Sequence, residues 1–324
     1  MSTPVEGNAT SWAAERERSH PWALHLIRWI ALTAGRSATR CLLHPITLYF
    51  LLANGKARRA STRYLGRALK HPARLRDVYR HIHRFASTVL DRIYFLQERF
   101  DQFDVSTTRG ELIHLPIEQG EGVLMVGAHL GSFEALRANA QHRGARVAML
   151  MYEGNARLIN ATLAAVAPQA VLNTIALGQP GAMLSLRHWL GEGGIAGLLA
   201  DRTLPTQSGR ARALQLDFLG HPAPFSDGPF RLAAMLRCRV VFMAGLYHGG
   251  NRYELRFSEL ADFRGQGADA NRAETDRLVR ETTLRYVAQL ESLCLESPYN
   301  WFNFFDFWAD DANALPPANP DAPA

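Results

Sequence analysis

From about residue 110 onward, short apolar runs alternate with segments of helical periodicity, and this alternation constrains the fold more than any other feature. The apolar runs that predict buried strands lie at 122–128, 146–152, 170–177, 194–200 and 239–247. The helices predicted beside them lie at about 133–143, 155–167, 180–191, 228–236 and 271–295. Because nearly continuous apolar strands are typical of a sheet covered on both faces, we expect an α/β fold with a mixed, mostly parallel central sheet flanked by helices.

Two weaker strand signals complete the expected sheet. Residues 214–219 form a short run that we expect at a sheet edge, and 252–257 follows the last apolar run after His-Gly-Gly-Asn, which favours a hairpin. Residues 56–100 show helical spacing of apolar side chains. The chain contains no internal repeat and no long linker.

The first seventy residues carry concentrated positive charge. They hold eleven Lys and Arg and three acids, a net +8, whereas the whole chain of 324 residues has +6. Such a basic end on a near-neutral body indicates an anionic partner, either nucleic acid or anionic lipid. The aromatic residues lie in apolar runs rather than in a base-stacking pattern, and no nucleic-acid-binding motif occurs, so the lipid surface is favoured.

Two apolar runs at 22–34 and 41–53 lie inside this basic region. Each has thirteen residues, and a bilayer span needs about twenty. Arg28 interrupts the first run, which also argues against a signal peptide, and His44 with Pro45 interrupts the second. The sequence therefore predicts two interfacial helices whose arginines contact lipid phosphates. Their headgroup-level aromatics would be Trp22, Trp29, Tyr49 and Phe50. Two core helices with solvated basic faces are the alternative.

The expected organisation follows from these boundaries. Residues 1–60 form a basic and apolar membrane-interface segment, 61–310 form the α/β domain, and 311–324 form a disordered tail of mostly Ala, Pro, Asp and Asn. The three cysteines, Cys41, Cys238 and Cys294, contain no CxxC spacing and are expected to be reduced thiols.

The segment 126–136 carries the strongest chemical signal. His129 follows the first apolar strand at its carboxyl end, where open α/β sheets place ligands. Gly131 permits a tight turn, and Ser132 is a suitable N-cap for the next helix. Glu134 then falls in the first helical turn, from which it is expected to orient the imidazole of His129 as a general base. A polar His129 that is merely hydrogen-bonded is the alternative.

These residues also carry a family resemblance. Residues 127–134, Gly-Ala-His-Leu-Gly-Ser-Phe-Glu, resemble the HxxxxD/E signature of the glycerolipid acyltransferases, and most closely the Glu-bearing lipid A late acyltransferases. Residues 194–202 resemble that family's strand ending in Asp. Residues 217–223, followed by Gly228 and Pro229, resemble its "F-G-x-P-A … G-P" block, and 301–308 resemble its closing aromatic segment.

The resemblance implies an O-acyltransferase at the cytoplasmic face of the inner membrane. His129 and Glu134 would be catalytic, and Asp201, Arg202, Gly228 and Pro229 would bind substrate. The acyl group would come from an acyl carrier protein or coenzyme A thioester and pass to a lipid hydroxyl, with no metal and no further cofactor. A local surface salt bridge is the alternative for the Asp201 and Arg202 pair.

Two departures from the family pattern widen the range of acceptor lipids that we expect. The Arg usual after the second strand is displaced to Arg157, and Asp306 stands among the closing aromatics. The acceptor is therefore a lipid A-like glycolipid or another membrane lipid or polyene. A lipid hydrolase on the same fold and a non-catalytic membrane adaptor remain the competing functions.

The remaining motifs of the sequence indicate no further site. His81 and His83 lie two apart with no acid or Cys to complete a metal site, so we expect surface histidines. The sequence contains neither a P-loop nor a GxSxG elbow.

Overall fold

The computed structural model describes residues 21–142, 144–152, 173–202, 213–265 and 272–308. A seven-stranded sheet forms its centre. The strands are β1 (Asp104–Thr108), β2 (Val123–Gly127), β3 (Val147–Tyr152), β4 (Asn173–Leu177), β5 (Ile195–Leu199), β8 (Arg239–Gly249) and β9 (Arg252–Asp262). Strands β6 (Ala213–Phe218) and β7 (His221–Ser226) pair with each other in a separate two-stranded sheet.

The central sheet is mixed and mostly parallel, as predicted. Its order is β1-β9-β8-β2-β5-β3-β4, and the hairpin of β8 and β9 is its one antiparallel pair among the described strands. Strand β2 lies at the centre between β8 and β5. Its residues alternate between two apolar cores, with Leu124 and Val126 in one and Val123 and Met125 in the other. Both faces of the sheet are therefore covered.

Eight α-helices are described. They are α1 (Pro21–Ala53), α2 (Gly55–Ala68), α3 (Leu75–Leu96), α4 (Glu111–Glu118), α5 (Phe133–His142), α6 (Ala182–Gly191), α7 (Gly228–Leu236) and α8 (Arg272–Glu296). Most of the predicted helices are thereby confirmed, whereas the one predicted at 155–167 lies outside the described residues. The predicted helical stretch 56–100 contains two helices, α2 and α3.

The structure corrects the strand prediction at 214–219. This run forms most of β6, which pairs with β7 in the separate sheet and packs against α8. It therefore does not join an edge of the central sheet. Strand β1 and helix α4 had no clear sequence signal. Strand β1 alternates exposed and half-buried residues and has no apolar run. The three cysteines are free thiols, as expected.

Helix α1 is interrupted at Gly35, whose φ of 78° is incompatible with a continuous right-handed helix. It packs against α3 through Arg36, whose Nε and Nη2 donate to the buried carboxylate of Asp91 at 2.7 and 2.8 Å. Arg36 therefore belongs to the fold and is not one of the predicted lipid contacts. Among the described residues, no helix combines the length and hydropathy needed to cross a bilayer.

The predicted division of the chain stays a prediction. Helix α2 runs across the proposed boundary between residues 60 and 61. The proposed tail, residues 311–324, lies outside the described residues.

Candidate active site

The loop after β2 has the conformation predicted from its sequence. Strand β2 ends at Gly127, and α5 begins at Phe133. Oγ of Ser132 accepts a hydrogen bond of 3.2 Å from the backbone nitrogen of Ala135, so Ser132 caps the helix as expected. Glu134 lies in the first helical turn. His129 is thereby held at the carboxyl end of the central strand.

Two glycines bring this loop against strand β8. Gly131 has φ of 74°, and a Cβ there would lie 1.9 Å from the carbonyl oxygen of Gly245. A Cβ on Gly245 would lie 2.3 Å from the carbonyl oxygen of Ser132. The backbone nitrogen of Ser132 donates to Gly245 O at 2.7 Å. The absence of both side chains therefore permits the contact that fixes the position of His129.

His129 is paired with Asp201, which follows β5. Nδ1 of His129 lies 2.8 Å from Oδ1 of Asp201, and the backbone nitrogen of His129 donates to Oδ2 at 3.0 Å. An ionised carboxylate only accepts, so Nδ1 carries the proton and the lone pair of the neutral ring lies on Nε2. The His129 side chain is 30% exposed and that of Asp201 only 3%. Nε2 makes no hydrogen bond to the described residues, which leaves it available to a substrate.

Trp301 completes the environment of this acid. Its Nε1 donates to Oδ2 of Asp201 at 2.9 Å, and its side chain is fully buried. The next backbone nitrogen, of Phe302, donates to the carbonyl of His129 at 2.7 Å. The segment 301–302 therefore contacts both members of the pair.

Asp201 remains ionised over the physiological range. Burial alone would raise its pKa, but the adjacent His129, Arg202 and Trp301 outweigh burial and lower it to about 2. A permanent negative charge beside Nδ1 stabilises the imidazolium that forms when Nε2 takes a proton.

Glu134 does not occupy the place predicted for it. The acid at Nδ1 of His129 is Asp201, and Oε1 of Glu134 instead lies 2.8 Å from Nε of Arg92 in α3. The physical reason is that α5 packs against α3, which brings the first-turn carboxylate to a helical arginine. The structure therefore does not place Glu134 at Nδ1 of His129, although its predicted placement in the helix was right, and its catalytic role stays a prediction.

Asp201 and Arg202 do not form an exposed surface pair. Asp201 is buried and bonded to the imidazole, and the guanidinium carbon of Arg202 lies 5.3 Å from the centre of the Phe305 ring. Burial lowers the pKa of Arg202, while the charge of Asp201 acts in the opposite direction. The local salt-bridge alternative is excluded for Asp201, and Arg202 is a cation adjoining the pair.

Gly228 and Pro229 lie at the first turn of α7. Nitrogen of Gly228 donates to Oγ of Ser226 at 3.2 Å, and Pro229 occupies a position that favours helix initiation. No hydrogen bond or ion pair within the described residues joins either of them to His129. Their described role is to start α7.

His81 was expected at the surface and is instead fully buried. Its Nε2 lies 2.8 Å from the carbonyl of Trp301, and its Nδ1 lies 2.8 Å from Oγ of Ser61. Because a carbonyl only accepts, Nε2 carries the proton and Nδ1 accepts from the hydroxyl. His81 therefore supports the segment that holds Asp201. Its sequence neighbours gave no signal for this.

The closing aromatic segment, 301–308, contributes side chains to the core. Trp301, Phe307 and Trp308 are buried and pack around Phe218 with ring centroids 5.3 to 6.0 Å apart, so these three belong to the core. The role of Trp301 as a donor to Asp201 was missed. The resemblance placed both residues in motifs but did not connect them.

Two cavities lie in the described part of the chain. One is a small apolar space of about 20 Å³ between α5 and the sheet, lined by Phe133, Leu136 and Met243. The other is an open groove of about 610 Å³ between β6 and α8, lined by Asp217 and Glu291. Neither His129 nor Asp201 lines either of them.

The described residues contain no group of three potential metal ligands. A comparison of the sequence with models of known protein families finds no match, and a search among curated proteins finds none either.

Proposed function

We propose that this protein is an O-acyltransferase in which His129 is the general base and Asp201 orients it. The observation that carries the proposal is the 2.8 Å contact between Nδ1 of His129 and Oδ1 of Asp201, with Nε2 unbonded to described residues. A buried, ionised acid behind a partly exposed imidazole is the arrangement that activates a hydroxyl. We infer acyl transfer from the ordered motifs along the chain, which resemble those of the lipid A late acyltransferases.

The proposed reaction needs no covalent enzyme intermediate. Nε2 of His129 removes the proton of an acceptor hydroxyl as that oxygen attacks the thioester carbonyl. The tetrahedral intermediate collapses and expels the thiolate, and the imidazolium returns the proton to that sulfur. The products are an ester and a free thiol. Asp201 stabilises the imidazolium between the two proton transfers.

The co-substrates are those that the family resemblance implies. The donor is an acyl carrier protein or coenzyme A thioester, and the acceptor is a lipid A-like glycolipid or another membrane lipid or polyene. Arg202 adjoins the pair and supplies a cation for a phosphate of donor or acceptor. No metal and no further cofactor take part in the proposed steps. In this proposal Glu134 takes no part in the proton transfers and forms the part-buried ion pair with Arg92.

Membrane association is part of the proposal. Several large apolar side chains of α1 are exposed, among them Tyr49 at 66% and Leu52 at 65%, with Trp29, Leu48 and Phe50 also exposed. The following helix, α2, adds the exposed cations Lys56, Arg59 and Arg63. Exposed apolar side chains on one helix and exposed cations on the next fit adsorption to an anionic leaflet, at the cytoplasmic face of the inner membrane.

The test of the reaction is a mass-spectrometric lipid profile of cells that express wild type, His129→Ala or His129→Gln. The Gln variant keeps an amide donor for Asp201 but has no base. We expect both variants to lack an acylated species that the wild type makes, with the corresponding lighter lipid accumulating. An unchanged profile, with both variants folded, would contradict the proposed role of His129.

The competing functions give different results in the same system. A lipid hydrolase uses the same base to activate water, so it would release free fatty acid at equal rates with and without an acceptor lipid. A non-catalytic adaptor would retain its cellular role in the His129 variants. Sedimentation with anionic vesicles tests the membrane step, for which we expect binding that weakens with salt and with Tyr49→Ser.

A further inference from the structure

A cluster of basic side chains lies where α1 packs on α3. Arg40 and His44 come from α1, and His83 and Arg84 come from α3. The rings of His44 and His83 stack with centroids 4.7 Å apart, and Nδ1 of His44 lies 2.7 Å from the hydroxyl of Tyr79. We name these four side chains the α1–α3 basic cluster.

Positive charge in this cluster is poorly compensated. Arg80 and Arg252 lie near enough to Arg84 to lower its pKa further, after burial as the main cause. The acid that faces Arg40 is Asp91, and its carboxylate is already engaged by Arg36 and by the hydroxyl of Tyr253. The fold has therefore brought several cations together without a carboxylate of their own.

Two polar atoms of the cluster are shielded from solvent yet unbonded. Nη1 of Arg40 and Nε2 of His83 have no hydrogen-bond partner among the described residues. A buried polar group without a partner is destabilising, so a ligand that bonds to both atoms would stabilise the cluster.

We propose that the α1–α3 basic cluster binds a phosphate group. A phosphate offers several oxygens to one arginine fork and two imidazoles, and it supplies the negative charge that the cluster lacks. A single carboxylate offers fewer acceptors and less charge. This proposal does not depend on acyl transfer, because it rests on the cluster alone.

The cluster is coupled to the catalytic loop through backbone atoms. Arg84 Nη1 and Asn300 Nδ2 both donate to the carbonyl of Tyr247, the latter at 3.2 Å. The carbonyl of Asn300 in turn accepts from the nitrogen of Gly131 at 2.8 Å. A phosphate at the cluster is thus separated from the His129 loop by two residues.

Two sources would supply this group, a lipid headgroup or a free phosphate. Helix α1 carries both Arg40 and the exposed apolar residues Leu48 and Tyr49, so a headgroup would reach the cluster while α1 lies on a lipid surface. A soluble phosphate would reach it from solvent through the exposed ring of His44. The chemistry of recognition is the same in both cases.

The experiment uses the full chain with Arg40→Gln, His83→Gln and, as matched control, Arg187→Gln. Arg187 is an exposed arginine of α6 outside the cluster. Inorganic phosphate is titrated while histidine ring resonances are followed by NMR. We expect a saturable shift of the His83 signal in wild type and Arg187→Gln, and affinity about fivefold weaker or more in Arg40→Gln. The same shift and affinity in Arg40→Gln would overturn the proposal.

A second arm distinguishes the sources. Sedimentation is measured with phosphatidylcholine vesicles that contain or lack phosphatidic acid. If the Arg40 and His83 variants lose the gain from phosphatidic acid more than Arg187→Gln does, the site takes a lipid phosphate. If only the titration with inorganic phosphate differs, it takes a soluble phosphate. Equal losses in all three variants in both arms would show unspecific charge attraction and overturn the proposal.

Discussion

The indole nitrogen of Trp301 donates a 2.9 Å hydrogen bond to the same Asp201 oxygen that accepts from the backbone nitrogen of His129. Trp301, near the end of the described chain, therefore holds Asp201 in place beside His129, which lies much earlier in the sequence. The carbonyl of Trp301 is itself held by buried His81. The site is complete only when the closing aromatic segment has packed against β2 and β5.

Replacing Trp301 by Phe is expected to weaken the site without emptying the core. The ring remains, but Asp201 loses one donor, and a hydrogen bond to a charged group contributes about 1.5–3 kcal/mol. We expect the free energy of unfolding to fall by that amount and the acyl-transfer rate to fall with it. Denaturant titration and a thioester assay measure the two effects.

Trp308→Phe is the matched control for this change. Its Nε1 is buried but has no hydrogen-bond partner among the described residues, and its ring packs beneath Arg67 at 3.9 Å. The same substitution there removes no described hydrogen bond, so stability should be nearly unchanged or slightly higher. Equal losses at Trp301 and Trp308 would show that the indole of Trp301 acts only by its volume.

Asp201→Asn and Glu134→Gln separate the acid found in the structure from the acid expected from the motif. Asn cannot stabilise the imidazolium, so we expect turnover to fall by a factor of about 100 to 10,000. Gln at 134 loses an ion pair with Arg92 that contributes about 1 kcal/mol, and turnover should fall by less than about tenfold. Steady-state kinetics with a thioester donor measure both. A larger loss in Glu134→Gln than in Asp201→Asn would return the orienting role to Glu134.

The central sheet was predictable because its signal is local. Runs such as 122–128 and 239–247 are apolar throughout, and each became a strand buried on both faces. The cap at Ser132 and the turn at Gly131 were also predictable, since both depend on residues within one helical turn. Strand β1 was missed because its pairing with β9 is decided by a distant partner.

The contacts of the site were harder to predict than its position. The motif placed His129 at a strand end and Glu134 in the next helix. Their short separation in sequence suggested a contact between these two side chains, which the structure does not contain. Asp201 reaches His129 because β5 lies beside β2 in parallel register, with Gly127 opposite Leu199. Such a contact depends on strand order, which a single sequence does not give.

His81 is expected to make stability depend on pH. Burial is the main cause that lowers its pKa to about 4, with the bond to Trp301 O acting in the opposite direction. In the unfolded chain a histidine has a pKa of about 6.5, so between these values the unfolded state binds more protons. Stability should therefore be full above about pH 6.5 and fall by about 3 kcal/mol as the pH drops to about 4.

The measurement for His81 is the free energy of unfolding across this range for wild type and His81→Gln. Gln retains a donor for Trp301 O and an acceptor for Ser61 but does not titrate, so its curve should be flatter. His71→Gln replaces an exposed histidine and should keep the steeper wild-type curve. Parallel curves for wild type and His81→Gln would mean that other groups cause the pH dependence.

Gly131→Ala tests whether the close approach of the loop to β8 positions His129. Gly220 in the β6–β7 turn has φ of 77° and open space around it, so Gly220→Ala measures backbone strain alone, about 1–2 kcal/mol. Gly131→Ala adds a clash with Gly245 O, for which we expect about 1–3 kcal/mol more. Because the strand and loop must separate, activity should fall well beyond the loss of folded protein. Equal effects at both glycines would show that the contact with β8 is unnecessary for catalysis.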